Sequence, residues 1–183
     1  MVAIAWAAMA AGFTRTVVRL SKPATRDTAG TSRYDAARRA REGWRSMSNL
    51  ATVQGIYEAF GKGDVPAILD VLADDVEWEA WEDNSAVKAG VPWMVPRHGK
   101  QEVVRFFETA GQMEIVDLQV LNMMEGGSQV AVEFVLEADL PAFGGGHYRD
   151  EEMHLWTFND SGKVARLRHY VDTAKHIAAS AQG

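Results

Sequence analysis

The apolar positions from Leu50 onward fall at three- and four-residue steps: Leu50, Val53, Ile56, Tyr57 and Phe60 form one stripe, which Gly61 and Gly63 stop. This spacing predicts an amphipathic helix. Asp64 predicts an N-cap, Pro66 suits a first turn, and Ile68, Leu69 and Leu72 form the stripe of a short second helix that Asp74-Asp75 ends. Val76–Trp81 reads as a strand. Residues 83–98 carry Gly90, Pro92 and Pro96, which predict a long loop without regular structure. Val103, Val104 and Phe107 mark a third helix over Lys100–Thr109, ended by Gly111. The period then changes to two. Ile115–Met124, Gln129–Asp139, His147–Phe158 and Lys163–Val171 read as long strands with short, Gly-bearing connections, which predicts an antiparallel meander. Asp172 predicts the cap of a last helix, Thr173 to Ser180. Helices first and a curved sheet afterwards make an α+β domain with room for a cavity between the layers.

Composition narrows the function classes. The chain has 183 residues, 47% of them hydrophobic, a formal net charge of -6 and no cysteine. That suffices for one ordinary core and excludes disulfides, Cys-ligated metals and thiolate catalysis. No apolar run is long enough to span a membrane, and the chain is expected in the cytoplasm with no membrane partner. The charge is unevenly spread. Residues 1–47 hold nine basic and three acidic side chains, or +6, leaving -12 for residues 48–183. Residues 1–47 read as a basic extension upstream of a biological start at Met47, with Arg33–Arg45 at helical spacing. Residues 48–183 are the domain. Its acidity argues against a nucleic-acid partner.

Several runs then become familiar. Ile56-Tyr57-Glu58-Ala59-Phe60-Gly61-Lys62-Gly63-Asp64, followed by Ala73-Asp74-Asp75-Val76-Glu77-Trp78, resembles the opening of SnoaL-like and ketosteroid-isomerase-like proteins. These belong to the nuclear-transport-factor-two-like superfamily. Gly99-Lys100, the Phe158–Val164 turn and Tyr170-Val171-Asp172 match as well, so the likeness covers residue 49 to about 175. The resemblance implies a cone-shaped fold: three N-terminal helices packed on a strongly curved, mixed but mainly antiparallel sheet around a pocket. It also implies a small hydrophobic ligand, no cofactor and a homodimer joined through the exposed sheet face. The superfamily holds isomerases, dehydratases, cyclases and non-catalytic modules, so fold alone does not give function.

On the register of that resemblance, His154 stands where steroid isomerases carry an oxyanion-binding aspartic acid. Alternation then puts Tyr148, Asp150, Glu152, His154, Trp156 and Phe158 on the inward face, and Ala165, Leu167, His169 and Val171 on the inward face of the next strand. A neutral imidazole accepts a proton near pH 7 while a protonated one donates, so His154 and His169 are candidate catalytic residues. Each is also readable as a structural histidine bonded to a carboxylate, His169 more so than His154. The isomerase's aspartate base corresponds to Ala80, so Glu82, two residues on, is the candidate substitute; a solvated loop carboxylate is the other reading. Trp78, Phe134, Trp156 and Leu167 are candidate substrate walls, with Trp93 or Trp81 beside them, and Tyr57 and Glu152 are candidate polar contacts. All the aromatics are also compatible with plain core. His98, His147 and His176 show no metal-ligand spacing, so no metal site is expected. The function that fits is acid/base chemistry on a small apolar carbonyl compound, or else ligand binding without catalysis.

Overall fold

A computed structural model describes residues 48–79, 81 and 83–181. The extension over 1–47, with its suggested start at Met47, and the candidate Glu82 lie outside the described residues.

Local chemistry explains where each helix begins and ends. In α1, Asn49–Lys62, the Ser48 hydroxyl accepts from the Ala51 N–H at 3.1 Å, and Gly63 closes the helix at φ 67°. Its stripe turns Val53, Ile56 and Tyr57 inward. Asp64 caps α2, Val65–Val71, through Ala67 N–H at 3.1 Å. The chain turns extended at Leu72, earlier than the pattern suggested. Strand β1 is Leu72–Trp78 and not Val76–Trp81. Leu72 pairs with Val164, and a register shift before Glu77 leaves Asp74-Asp75 exposed in the strand instead of at a helix end.

The stretch read as structureless holds three short elements: α3, Ser85–Lys88, a 3-10 turn at Pro92–Met94, and β2, Arg97–His98. Its prolines sit where no N–H is needed, Pro92 opening the 3-10 turn and Pro96 preceding β2. Helix α4, Gly99–Ala110, buries Val103 and Phe107. The four predicted strands follow as β3, Glu114–Gly126, β4, Gln129–Leu140, β5, Gly146–Phe158, and β6, Val164–Tyr170. Helix α5 is Thr173–Ser180, with Asp172 accepting from Ala174 N–H.

One six-stranded curved sheet results, in the order β2-β1-β6-β5-β4-β3. Only β1 and β6 run parallel; the other neighbours are antiparallel. Helices α1, α2 and α4 bury their stripes with Val130, Val132, Phe134, Trp156 and Leu167 of the inner sheet face in the main core. A second core joins Ala86, Val91, Trp93 and Met94 to Leu140, Tyr148 and Ala179, and so fixes α5 against the far end of β5. Among the described residues no helix is long and apolar enough to cross a membrane.

That docking requires a residue without a Cβ. At Gly146 a methyl group would overlap the backbone of Ala179. Gly146→Ala is expected to cost about 1 to 3 kcal/mol in urea unfolding. Gly61→Ala, with open space around its Cβ position, is the control and should lose nothing.

Candidate functional site

Helices and sheet enclose a cavity of about 740 Å³, lined mainly by apolar and aromatic side chains with a polar cluster among them. The size and character fit a small-molecule site. Of the residues singled out from the sequence, Tyr57, Trp78, Phe134, Glu152, His154, Leu167 and His169 line it together, as does Trp93. Trp156 does not. It points inward, but the rings of Tyr57 and Trp78 meet it edge-on at 6.4 and 5.8 Å and seal it at 0% exposure, so it backs the wall without forming it. Trp81 is 38% exposed and packs on Tyr170 outside the cavity.

The polar cluster forms because β6 lies between β1 and β5. His154 on β5 is directly opposite His169 on β6, and their ring centroids are 4.4 Å apart. Glu152, two residues before His154, shares its face and reaches His169 Nε2 at 2.7 Å. The remaining member, Glu79, was missed by sequence reasoning. It follows β1 with φ 55°, and this left-handed residue breaks the alternation, so that Glu79 lines the cavity alongside Trp78. Its Oε1 lies 3.1 Å from His169 Nδ1. Strict alternation from Trp78 leads instead to Ala80 and Glu82; no periodic signal marks Glu79.

His169 therefore has a carboxylate at each ring nitrogen. Burial disfavours its charge, but Glu79 and Glu152 outweigh that cost and push its pKa up to about 10. Glu152 in turn is held below the usual carboxylate range: its burial is outweighed by the charge and hydrogen bond of His169. His154 moves the other way. Buried, and beside the positive charge of His169, it is held well below 6.5 and is neutral at pH 7. Its Nδ1 is 2.6 Å from the hydroxyl of Tyr57, whose pKa burial keeps well above 10. Nε2 of His154 has no hydrogen-bond partner among the described residues. The two imidazoles thus occupy opposite protonation states, and only His154 has a nitrogen to spare for a ligand.

A second layer supports the first. The indole N–H of Trp93 can only donate, and it meets Nδ1 of the fully buried His176 at 2.9 Å. The proton of His176 must then reside on Nε2, which lies 3.3 Å from Glu152 Oε1 and 3.6 Å from Asp150 Oδ2. Asp150 is anchored to Lys175 at 2.8 Å and to Asp172 N–H at 2.7 Å. His176 had been singled out from the sequence only for its lack of metal-ligand spacing; its burial depends on the long-range docking of α5.

Two groups of three bring ligand-type atoms within 4.8 Å of one another: Glu79, His154 and His169, and Asp150, Glu152 and His176. In the second, Trp93 and a proton occupy both nitrogens of His176. In the first, a metal would have to displace a proton from His169. The donor chemistry favours protons over a metal in both.

The fixed charge on His169 has a measurable consequence. Its folded pKa lies above the ordinary histidine value near 6.5, so its stabilisation is fully present below about pH 6.5 and is lost as pH rises toward 10. Urea unfolding between these limits should show stability falling by up to about 1.4 kcal/mol per pH unit from this group. His169→Gln should flatten that slope; an unchanged slope would show that His169 is not the group responsible.

No curated protein matches the chain. Among solved structures, an NTF2-like protein of unknown function from Burkholderia pseudomallei K96243 is 24% identical, with a TM-score of 0.58 over 74% of this chain and 99% of its own. One from Burkholderia thailandensis E264 is 18% identical, with a TM-score of 0.61 over 75% and 100%. A protein proposed to be a polyketide cyclase, from Pseudomonas putida KT2440, is 22% identical, with a TM-score of 0.57 over 73% and 98%. At these identities the likeness establishes the shared fold. The SnoaL-like domain matches residues 53–167, from the first buried turn of α1 to the cavity-lining Leu167, and the chain accordingly belongs to the SnoaL-like family.

Proposed function

We propose that this chain is a cofactor-independent acid/base enzyme of isomerase, dehydratase or cyclase type, acting on a small and largely apolar carbonyl compound. The observation that carries the reading is the neutral His154, hydrogen-bonded to Tyr57 at 2.6 Å and exposing a free Nε2 to an aromatic cavity. With the proton on Nδ1 donated to Tyr57, Nε2 is a base, and the phenolic O–H is released to a substrate carbonyl oxygen. His154 takes a proton from the carbon next to that carbonyl: the C–H bond breaks, an N–H bond forms, and its electron pair passes to an enolate. The low pKa of His154 makes the resulting imidazolium a strong acid. It returns the proton to another carbon in an isomerisation, or to a departing hydroxyl as water in a dehydration. His169 is a positioning charge in this scheme, because both its nitrogens face carboxylates and it keeps His154 neutral. Two of the neighbours are proposed to be a polyketide cyclase and an isomerase, which agrees with this chemistry.

The non-catalytic alternative is favoured by one observation, the engagement of both nitrogens of His169 by carboxylates, as in a structural histidine. A homodimer belongs to either reading, supported by the exposed Leu121 and Met124 of β3; light scattering on the eluting protein should give twice the chain mass.

A thermal-shift panel of polyketide-, terpenoid- and steroid-type ketones identifies the scaffold, since a ligand at a hundred times its Kd adds about 2.7 kcal/mol. On that scaffold His154→Ala should lower turnover about a hundredfold or more. An unchanged rate would sink the assignment and leave a binding module. Because the base form of His154 persists well below pH 6.5, kcat/KM should hold level from neutrality down through that pH before it falls.

A further inference from the structure

We propose that the natural ligand carries a protonated nitrogen, an ammonium or iminium, seated against Glu79. Two independent observations lead there. The first is the charge of the lining. It contains the carboxylates of Glu79, Glu114, Asp139 and Glu152, and among the described lining residues no lysine or arginine. His169 supplies one positive charge between two buried negative ones, so carboxylates remain in excess among the lining residues themselves. Arg97 lies outside the lining, where it donates to the Val95 carbonyl, and its charge acts on Glu79 as well as Glu102.

The second observation is an unmatched atom. Glu79 has a side chain only 2% exposed, and one of its oxygens accepts from His169. The other has no hydrogen-bond partner among the described residues. A buried carboxylate oxygen facing a ligand cavity calls for a donor, and a charged N–H donor satisfies it best. The surroundings suit a cation. The ring of Phe134 already lies nearly parallel to the His169 imidazolium, 6.0 Å away at 24°, and Trp78, Phe106 and Tyr57 offer further aromatic faces.

The inference rests on the acid/base reading only for one consequence. An enolate develops beside the carboxylates of Glu79 and Glu152, and a ligand ammonium on Glu79 offsets part of their charge before the negative charge develops. An amino ketone fits both requirements: its carbonyl at Tyr57 and His154, its nitrogen at Glu79.

Three naphthalenes of nearly equal size separate the possibilities by calorimetry on the full chain at pH 7 and low salt. These are 2-(aminomethyl)naphthalene as the cation, 2-acetylnaphthalene as the neutral ketone and 2-naphthoate as the anion. The amine is expected to bind at least ten times more tightly than the ketone, and the naphthoate more weakly than either. Glu79→Gln should abolish the advantage of the amine and leave the ketone within about twofold. An amine that binds no better than the ketone, a naphthoate that binds most tightly, or no binding of the amine overturns the proposal, and so does an advantage that survives in a folded Glu79→Gln protein. The ranking in the unaltered chain stands as a test if that variant fails to fold. The amine and the naphthoate carry no enolisable carbonyl and the readout is binding alone, so a failed ranking leaves the proton-transfer reading of His154 to its own experiment.

Discussion

The imidazolium of His169, held between Glu79 and Glu152, is the contact on which the polar end of the cavity depends. Two carboxylates enclosed by aromatic walls would repel each other and lack the water that normally stabilises them. The cation between them permits their burial. Strand order makes the arrangement possible: β6 runs parallel to β1 and antiparallel to β5, so a side chain near its end has the end of β1 and the middle of β5 within reach. The same charge keeps His154 unprotonated across the sheet. One ionised group thereby determines which of two adjacent histidines can act as a base, a division that their identical intrinsic chemistry would not produce.

The network extends outward until it meets backbone or solvent. Glu152 uses one oxygen for His169 and presents the other to His176, whose tautomer is set by Trp93. Trp93 comes from the short 3-10 turn, His176 from the last helix, and Gly146 allows that helix to approach the sheet. Elements distant in sequence thus converge on the orientation of one carboxylate. The last helix is consequently part of the site's support as well as of the second core.

The legible part of this structure was the part encoded by short-range periodicity. The α1 stripe and the strand alternation bring Tyr57, His154 and His169 to the cavity wall, because each depends on its neighbours at fixed spacing. Trp156 shows where that reasoning stops: alternation identifies the inward face but does not tell a side chain that meets the cavity from one covered by the next layer. Glu79 and His176 were not legible for a different reason. One is turned inward by a single left-handed residue, and the other is buried by the docking of a helix whose own pattern marks no polar partner. The elements within 83–98 were hidden by prolines, which in fact occupy their permitted positions.

Glu79 also shows why the site would be hard to obtain by regular structure alone. A non-glycine residue at φ 55° costs about 1 to 2 kcal/mol relative to ordinary backbone. Glycine would remove that strain, and an unbroken strand would avoid it. Either change would take away the carboxylate that, with Glu152, raises the pKa of His169. A strand continuing beyond Trp78 would turn residue 79 to the opposite face and leave His169 with one carboxylate partner. Its charge would then be far less secure against burial, and the neutrality of His154 would lose its electrostatic cause. The backbone irregularity at the end of β1 is therefore coupled to the protonation state of a ring on β5 through a single ion cluster. On this argument, the position the strand pattern failed to reveal is the one that sets the chemistry of the positions it did reveal.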